Sequence, residues 1–307
     1  MRHELDAREY KLLLNPDRFK EVSPETVVDT FWENHLKRLI DAQLGLRNGE
    51  EPRHERRFSE RKERVVRFWD TPDYTLTRAD LALRERLSND QEGNADARPE
   101  ITLKLRMADL FVVAAAELPG SREDFSTTLE EDIAPLEVDD PEPGKRSVVV
   151  PTRRSIRSRF ARSTSQTTDW NTRRTLGGLR ELFPTVFELL EASGVPHSPL
   201  TELVSGPTIA ELVFKGARVK LGAAIVGKFT LTLWYSGAQQ QRPTVAEISF
   251  KCAAVDGDMP GAAARRALAL FTAMQTDLGG WVNSEHSSKT ALALPAGCES
   301  ADGLIHR

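Results

Sequence analysis

Phe68-Trp69-Asp70-Thr71-Pro72-Asp73-Tyr74-Thr75-Leu76-Thr77-Arg78-Ala79-Asp80-Leu81-Ala82-Leu83-Arg84-Glu85-Arg86-Leu87 is the stretch on which the fold turns. One strand ends in it, the chain reverses at Asp and Pro, which favour turns, and a second strand begins. Alternate side chains of a strand point to opposite faces. Over residues 81–87, Arg84 and Arg86 therefore share a face against Leu83 and Leu87, with Glu85 interrupting the apolar side.

The same alternation recurs in both directions along the chain. Glu4, Asp6 and Arg8 alternate with Leu5 and Ala7, and Glu100, Thr102, Lys104 and Arg106 oppose Ile101, Leu103 and Leu105. Further on, Arg218 and Lys220 oppose Val219 and Leu221. Lys228, Thr230, Thr232 and Trp234 oppose Phe229, Leu231, Leu233 and Tyr235. Glu247, Ser249 and Lys251 oppose Ile248 and Phe250. Alternation alone commonly marks a solvated face over an apolar core. A solvated face, however, mixes charge signs evenly. Here cations dominate several polar faces, while carboxylates gather only at Glu4/Asp6 and Glu247. A barrel with a polar interior and an apolar, helix-jacketed exterior explains that segregation. Its Arg and Lys would hold phosphate oxygens, and its few acids a hard divalent ion.

The remaining patterns place these strands. Spacing predicts strands over 3–14, 64–70, 81–88, 100–117, 209–215, 217–222, 228–236 and 244–253. A helix is expected over 23–46, with Ser23 as N-cap and Pro24 at the first helical position. Others are expected over 176–193 and from Pro260 to Asp277. Ser88 to Pro99 reads as a hairpin loop and 148–150 as a short strand. Residues 119–145, acidic and proline-containing, read as a surface excursion; 151–175, rich in Arg, Ser and Thr, reads as a solvated loop. The expected architecture is α+β: an antiparallel barrel domain over 1–295, insertions at about 119–175, and a flexible tail over 296–307.

Composition excludes several classes. With 39% hydrophobic residues among 307, the chain can build a globular core, and a net charge of −4 gives no general basic excess for nucleic acid. Cys252 and Cys298 form neither a metal-ligand spacing nor a disulfide framework, which points to a reducing, cytoplasmic setting. No apolar leader opens the chain, and no apolar run is long enough to cross a membrane. The histidines lack metal-binding spacing, and Gly206-Pro207-Thr208 does not continue into a phosphate-binding loop.

These residues resemble the CYTH family, the triphosphate tunnel metalloenzymes. Glu4-Leu5-Asp6-Ala7-Arg8 is similar to the family's opening Glu-x-Glu-x-Lys strand. Phe68 to Asp73 resembles its Tyr-Phe-Asp-Thr-Pro turn, and Ala82-Leu83-Arg84-Glu85-Arg86 its Ala-Leu-Arg-x-Arg strand. Ile101-Thr102-Leu103-Lys104 is similar to its Thr-x-Lys strand, Glu247-Ile248-Ser249-Phe250 to its late Glu-Ile-Glu strand, and Ser288-Lys289 to its Ser-Lys element. The resemblance implies an eight-stranded antiparallel tunnel barrel that hydrolyses or cyclises a triphosphate with Mg²⁺ or Mn²⁺. The substrate would be inorganic triphosphate, thiamine triphosphate or a nucleoside triphosphate. Glu4, Asp6 and Glu247 would hold the metal and carry catalysis. Arg8, Arg84, Arg86, Lys104, Arg106, Arg218, Lys220, Lys251 and Lys289 would bind the small-molecule polyanion. The sequence departs from the pattern at Asp6, Arg8, Ser249 and Trp234, where the family has Glu, Lys, Glu and Asp. A non-catalytic polyphosphate-binding module and a class IV adenylate cyclase are the alternative readings.

Overall fold

The computed structural model describes residues 4–20, 23–45, 53–88, 98–139, 146–148, 156–170, 174–236, 242–283 and 289–295. The expected tail over 296–307, Ser288 and most of the loop between Ser88 and Pro99 lie outside the described residues.

The strands are β1 (Ala7–Leu14), β2 (His54–Arg56), β3 (Glu60–Asp70), β4 (Leu81–Ser88) and β5 (Glu100–Met107). They continue with β6 (Ser126–Pro135), β7 (Glu137–Asp139), β8 (Arg146–Val148), β9 (Ile156–Thr167) and β10 (Val204–Ser205). The last three are β11 (Ile209–Lys220), β12 (Val226–Ser236) and β13 (Val245–Ala253). One sheet runs in the order β10-β3-β4-β5-β9-β6-β1-β13-β12-β11-β2, and β3 pairs with β11 as well. That pairing closes nine of the strands into a barrel, where eight are expected from the resemblance. β7 and β8 form a separate pair.

The helices are α1 (Pro24–Phe31), α2 (Lys37–Leu44), α3 (Thr75–Arg78), α4 (Leu110–Ala115), α5 (Leu176–Leu182), α6 (Val186–Ala192) and α7 (Gly261–Asp277). Ser23 caps α1 through its side chain, which accepts from the Thr26 N–H, and a π-helical turn over Trp32–Leu36 joins α1 to α2. The chain divides into two compact units. The first comprises Met1–Lys62, Glu131–Ser158 and Leu212–Lys289, and the second Glu63–Glu130, Arg159–Glu211 and Thr290–Arg307.

In the first unit, Tyr10, Leu12 and Leu14 of β1 join Phe229, Leu231, Ile248 and Phe250 in one core with α1, α2 and α7. Tyr10 stacks on Phe250 with ring centroids 4.7 Å apart. Each such fully buried side chain contributes about 1.5–3 kcal/mol, so this face fixes the register of β1, β12 and β13. The opposite face carries Glu9, Lys11, Thr232, Glu247 and Ser249, as the pairings Lys11↔Ser249, Leu13↔Glu247 and Thr232↔Glu247 require. Cys252 lies on the apolar face opposite Arg8 and is fully buried. Burial pushes its thiol up to about 12, against the pull of the Arg8 charge. Folded Cys298→Ala protein is therefore expected to resist a disulfide-exchange reagent at pH 8 and to label only when unfolded. Rapid labelling of the folded variant would contradict this packing.

In the second unit, Leu83, Ile101, Leu103 and Leu105 are buried on one face of β4 and β5, and Arg84, Arg86, Thr102 and Lys104 occupy the other.

Several expectations change. The first strand begins at Ala7, so Glu4 and Asp6 precede it and are exposed. The strand expected over 100–117 stops at Met107, because the Asp109 carboxylate accepts from the N–H groups of Phe111 and Val112 and caps α4. The helix expected over 176–193 breaks between α5 and α6, where Pro184 interrupts it. The two strands at 209–215 and 217–222 are one strand, β11, containing Gly216 at φ 109°. Residues 119–145 and 151–175, expected as excursions, supply β6 and β9 to the barrel. β9 is polar on both faces and so lacks the alternating signal. On its outer face Arg162 donates to the carbonyls of Val113 and Ala114, Thr164 to that of Leu118, and Gln166 to that of Leu182. Those bonds satisfy buried polar groups that would otherwise be costly to bury.

Candidate polyanion site and acidic cluster

The turn read first in the sequence is a backbone clamp. Asp70 is buried and accepts from the N–H groups of Thr71 (2.7 Å), Leu76 (2.9 Å) and Thr77 (2.9 Å), and from the Thr77 hydroxyl (2.7 Å). The Thr71 hydroxyl accepts from the Thr75 N–H at 2.8 Å and donates to Asp73 at 2.6 Å. The Thr71 hydroxyl, and after it that of Thr75, holds Asp73 below the ordinary carboxylate range by donating to it. These bonds fix the exit from β3 through Tyr74, at φ 58°, and α3, and so set where β4 starts.

From that start the polar face of the second unit is built. Arg64 lies 3.6 Å from Glu211, which lies 3.6 Å from Arg86; Arg86 donates to Glu100 at 3.3 Å, and Glu100 is 3.6 Å from Arg84. Arg84 also donates to the Thr102 hydroxyl at 3.2 Å, which is 2.8 Å from the Ser165 hydroxyl. Three guanidinium groups thus alternate with two carboxylates. Most of the contacts exceed good hydrogen-bond length. The Nε atoms of Arg84 and Arg86 are buried without a hydrogen-bond partner among the described residues. Burial, and then the Arg86 charge, lower the Arg84 pKa to about 10. Burial and Arg86 act on Arg64 in the same direction. This is a preorganised cationic cradle with unused donor capacity, suited to phosphate oxygens.

Lys104 and Arg106 lie further along the same face. With Thr77, Asp80, Arg159, Thr290 and Leu294 they line a cavity of about 50 Å³. Burial raises the Asp80 pKa, and the Arg159 charge opposes that rise.

In the first unit β1 departs from the expected facing. Arg8 lies on the apolar side with Tyr10 and pairs with Glu131 through Nε. Burial disfavours its charge, but the hydrogen bond and charge of Glu131 prevail and its pKa is raised. The polar-face positions are Ala7, Glu9 and Lys11. The acid–acid–cation pattern expected on Glu4, Asp6 and Arg8 therefore falls three residues later, with Ala7 in the first acidic place. A three-residue offset is odd, so it exchanges faces. Glu9 was legible as the acid two positions before Lys11.

Glu9 and Asp132 of the first unit bring carboxylate oxygens within 4.8 Å of one another, and Asp132 is buried. Glu130 and Asp132 alternate along β6 with buried Leu129 and Ile133, a period-2 signal inside the stretch read as an acidic excursion. An all-oxygen donor set of this charge suits a hard divalent ion, so the cluster could bind a metal. Lys11 reaches into it, 2.8 Å from Asp132 and 3.1 Å from Glu9, and the Ser249 hydroxyl donates to Glu9 at 3.0 Å. Glu247, expected as a metal ligand, is buried and paired with Lys289 at 2.7 Å; the Lys289 ammonium also lies 4.8 Å from the Trp234 ring centroid. Lys251 is exposed on the strand position opposite Glu9. Arg218 and Lys220 lie beyond Gly216 at the β2 edge, with Lys220 3.5 Å from Glu55.

No family model matches this chain, and no curated protein matches it. Among solved structures it is similar to an assigned adenylyl cyclase from Hippeastrum described as having a dominant triphosphatase activity. That match has 14% identity, covers 92% of this chain and 93% of the other, and has a TM-score of 0.41. An assigned adenylate cyclase from Bacillus halodurans gives 14% identity, 93% and 96% coverage and a TM-score of 0.36. One from Vibrio parahaemolyticus gives 14% identity, 92% and 95% coverage and a TM-score of 0.28. Strand pairing, not these distant likenesses, carries the fold. No helix among the described residues is long and apolar enough to cross a membrane. These three solved structures are described as assigned adenylate cyclases, one of them with triphosphatase activity.

Proposed function

We propose that this chain binds a triphosphate-containing small molecule and hydrolyses its terminal phosphoryl group with Mg²⁺ or Mn²⁺, in a reducing, cytoplasmic setting. The observation that carries the reading is the Arg64–Glu211–Arg86–Glu100–Arg84 chain, with buried Nε–H donors on Arg84 and Arg86 that have no acceptor within hydrogen-bond distance among the described residues. Buried donors are ordinarily satisfied, and phosphate oxygens supply what these lack. Water attacks the terminal phosphorus in line, the bridging P–O bond breaks, its electron pair leaves on the diphosphate end of the substrate, and the water's proton passes to solvent. The arginines hold the anion and offset its charge, so the protein's contribution is chiefly electrostatic. Glu9 and Asp132 would hold the metal, which would supply further charge neutralisation.

A panel of inorganic triphosphate, thiamine triphosphate and nucleoside triphosphates with Mg²⁺ or Mn²⁺ tests the proposal. The expected result is slow, metal-dependent phosphate release, lost in Glu9→Gln while tripolyphosphate binding is retained. Equal turnover by Glu9→Gln and wild type would remove the acidic cluster from the mechanism. A second reading, a binding module without turnover, is favoured by Ser249 and Trp234 at polar-face positions where the resemblance expects acids. Tripolyphosphate binding with no phosphate release from any substrate would establish that reading instead.

A further inference from the structure

We infer that Lys11 is a resident counter-ion of the acidic cluster and competes directly with the divalent ion, so that metal affinity is set by this side chain. The inference rests on the reading above that Glu9 and Asp132 form the metal position. Their ligand atoms converge within 4.8 Å, the scale of one coordination sphere. The Lys11 ammonium is already inside that sphere, at 2.8 Å from Asp132 and 3.1 Å from Glu9. A divalent ion on the same oxygens would face the lysine charge within a few ångströms, with little water between to screen it. Its entry therefore requires the ammonium to withdraw.

The fold makes that competition specific to Lys11. Arg8, the neighbouring cation, is on the other face and engaged with Glu131, itself bonded to the Ser158 hydroxyl. Lys289 is drawn to Glu247 and to the Trp234 ring. Lys11 instead sits two positions after Glu9 on β1, opposite Ser249, and its ammonium lies among the cluster's carboxylates. A lysine stem is flexible and its ammonium is a compact point charge, which suits a group that occupies the cluster and leaves it.

The test is calorimetric titration of the full chain with Mn²⁺ alone, with no phosphate present. Lys11→Met and Lys11→Gln both remove the charge; Gln keeps a hydrogen-bond donor toward the carboxylates. Either variant is expected to bind Mn²⁺ at least tenfold more tightly than wild type, and adding Glu9→Gln should remove the gain. A thermal melt confirms folding of each variant, and the folded one of the pair suffices. Unchanged or weaker Mn²⁺ binding after loss of the Lys11 charge overturns the inference, as does a gain that survives Glu9→Gln. The titration needs neither substrate nor turnover, so a failed phosphate-release panel leaves its outcome intact, and the two readings fail separately.

Discussion

Replacing Arg84 and Arg86 together by alanine is expected to reduce tripolyphosphate affinity by two orders of magnitude or more. Each guanidinium has a buried Nε–H with no acceptor within hydrogen-bond distance among the described residues, Arg86 Nε lying 3.6 Å from Glu211, and each contacts Glu100 only at 3.3–3.6 Å. Both therefore have donors to give a ligand without breaking a good internal bond. A hydrogen bond to a charged group contributes about 1.5–3 kcal/mol, so each single substitution should weaken binding by roughly 10- to 150-fold. The pair should fall short of the sum, because the two arginines share Glu100 and repel one another. The sign on stability is opposite. Desolvation and Arg86 lower the Arg84 pKa to about 10, so the unliganded fold carries Arg84⁺ at a cost. Removing one of the mutually repelling cations is expected to leave the melting temperature unchanged or raised. Calorimetry on Arg84→Ala, Arg86→Ala and the double variant decides the matter. Wild-type affinity in the double variant would eliminate the cationic cradle as the anion site.

Asp70→Ala is expected to produce the largest loss of stability among single substitutions at the turn. Its carboxylate terminates three backbone N–H groups and the Thr77 hydroxyl, and Thr71 and Leu76 are fully buried. Alanine leaves those donors with no acceptor. An orphaned buried donor costs about 1–3 kcal/mol, so a loss of about 3–5 kcal/mol follows once partial relaxation is allowed. That corresponds to a fall in melting temperature on the order of 10 °C. Asp70→Asn keeps one oxygen acceptor and should lose less. Denaturant unfolding of both variants checks the order. An Asp70→Ala protein within 1 kcal/mol of wild type would mean that Asp70 does not organise the β3–α3–β4 passage. Tripolyphosphate affinity, measured where the variant is folded, separates this role from a ligand contact, since Asp70 is absorbed entirely in the turn.

The two predictions divide one motif between framework and chemistry. Asp70 and Thr71 specify a backbone path and offer nothing to a ligand, whereas Arg84 and Arg86 face the polar side with donors to spare. Both halves were visible in the sequence, because turn residues and alternation are local properties. A β4 strand that packs Leu83 on one face must place Arg84 and Arg86 on the other. The same local logic located Lys104 and Arg106 on β5, and Glu247, Ser249 and Lys251 on the polar side of β13.

β1 shows where local logic ends. Glu4-Leu5-Asp6-Ala7-Arg8 and Ala7-Arg8-Glu9-Tyr10-Lys11 both alternate, and neighbouring residues alone do not choose between them. Packing of Tyr10 against Phe250 and Phe271 chooses the second frame and sends Arg8 to the apolar side and Glu9 to the polar one. β9 was hidden for another reason, whereas β6 carried a short alternation inside an acidic stretch. The polar outer residues of β9 find partners in distant backbone carbonyls, and those partners exist only once the chain is folded. Glu211 likewise became part of the cradle only when β11 placed it beside Arg64 and Arg86. The sequence by itself determined the strand periodicity, the Asp-Thr-Pro turn and the cationic faces of β4 and β5, since each depends on residues a few positions apart. Tertiary structure decided the frame of β1, the recruitment of β6 and β9, and the ion pairs of the acidic cluster. Those depend on which distant surfaces bury which faces, and no local pattern encodes that.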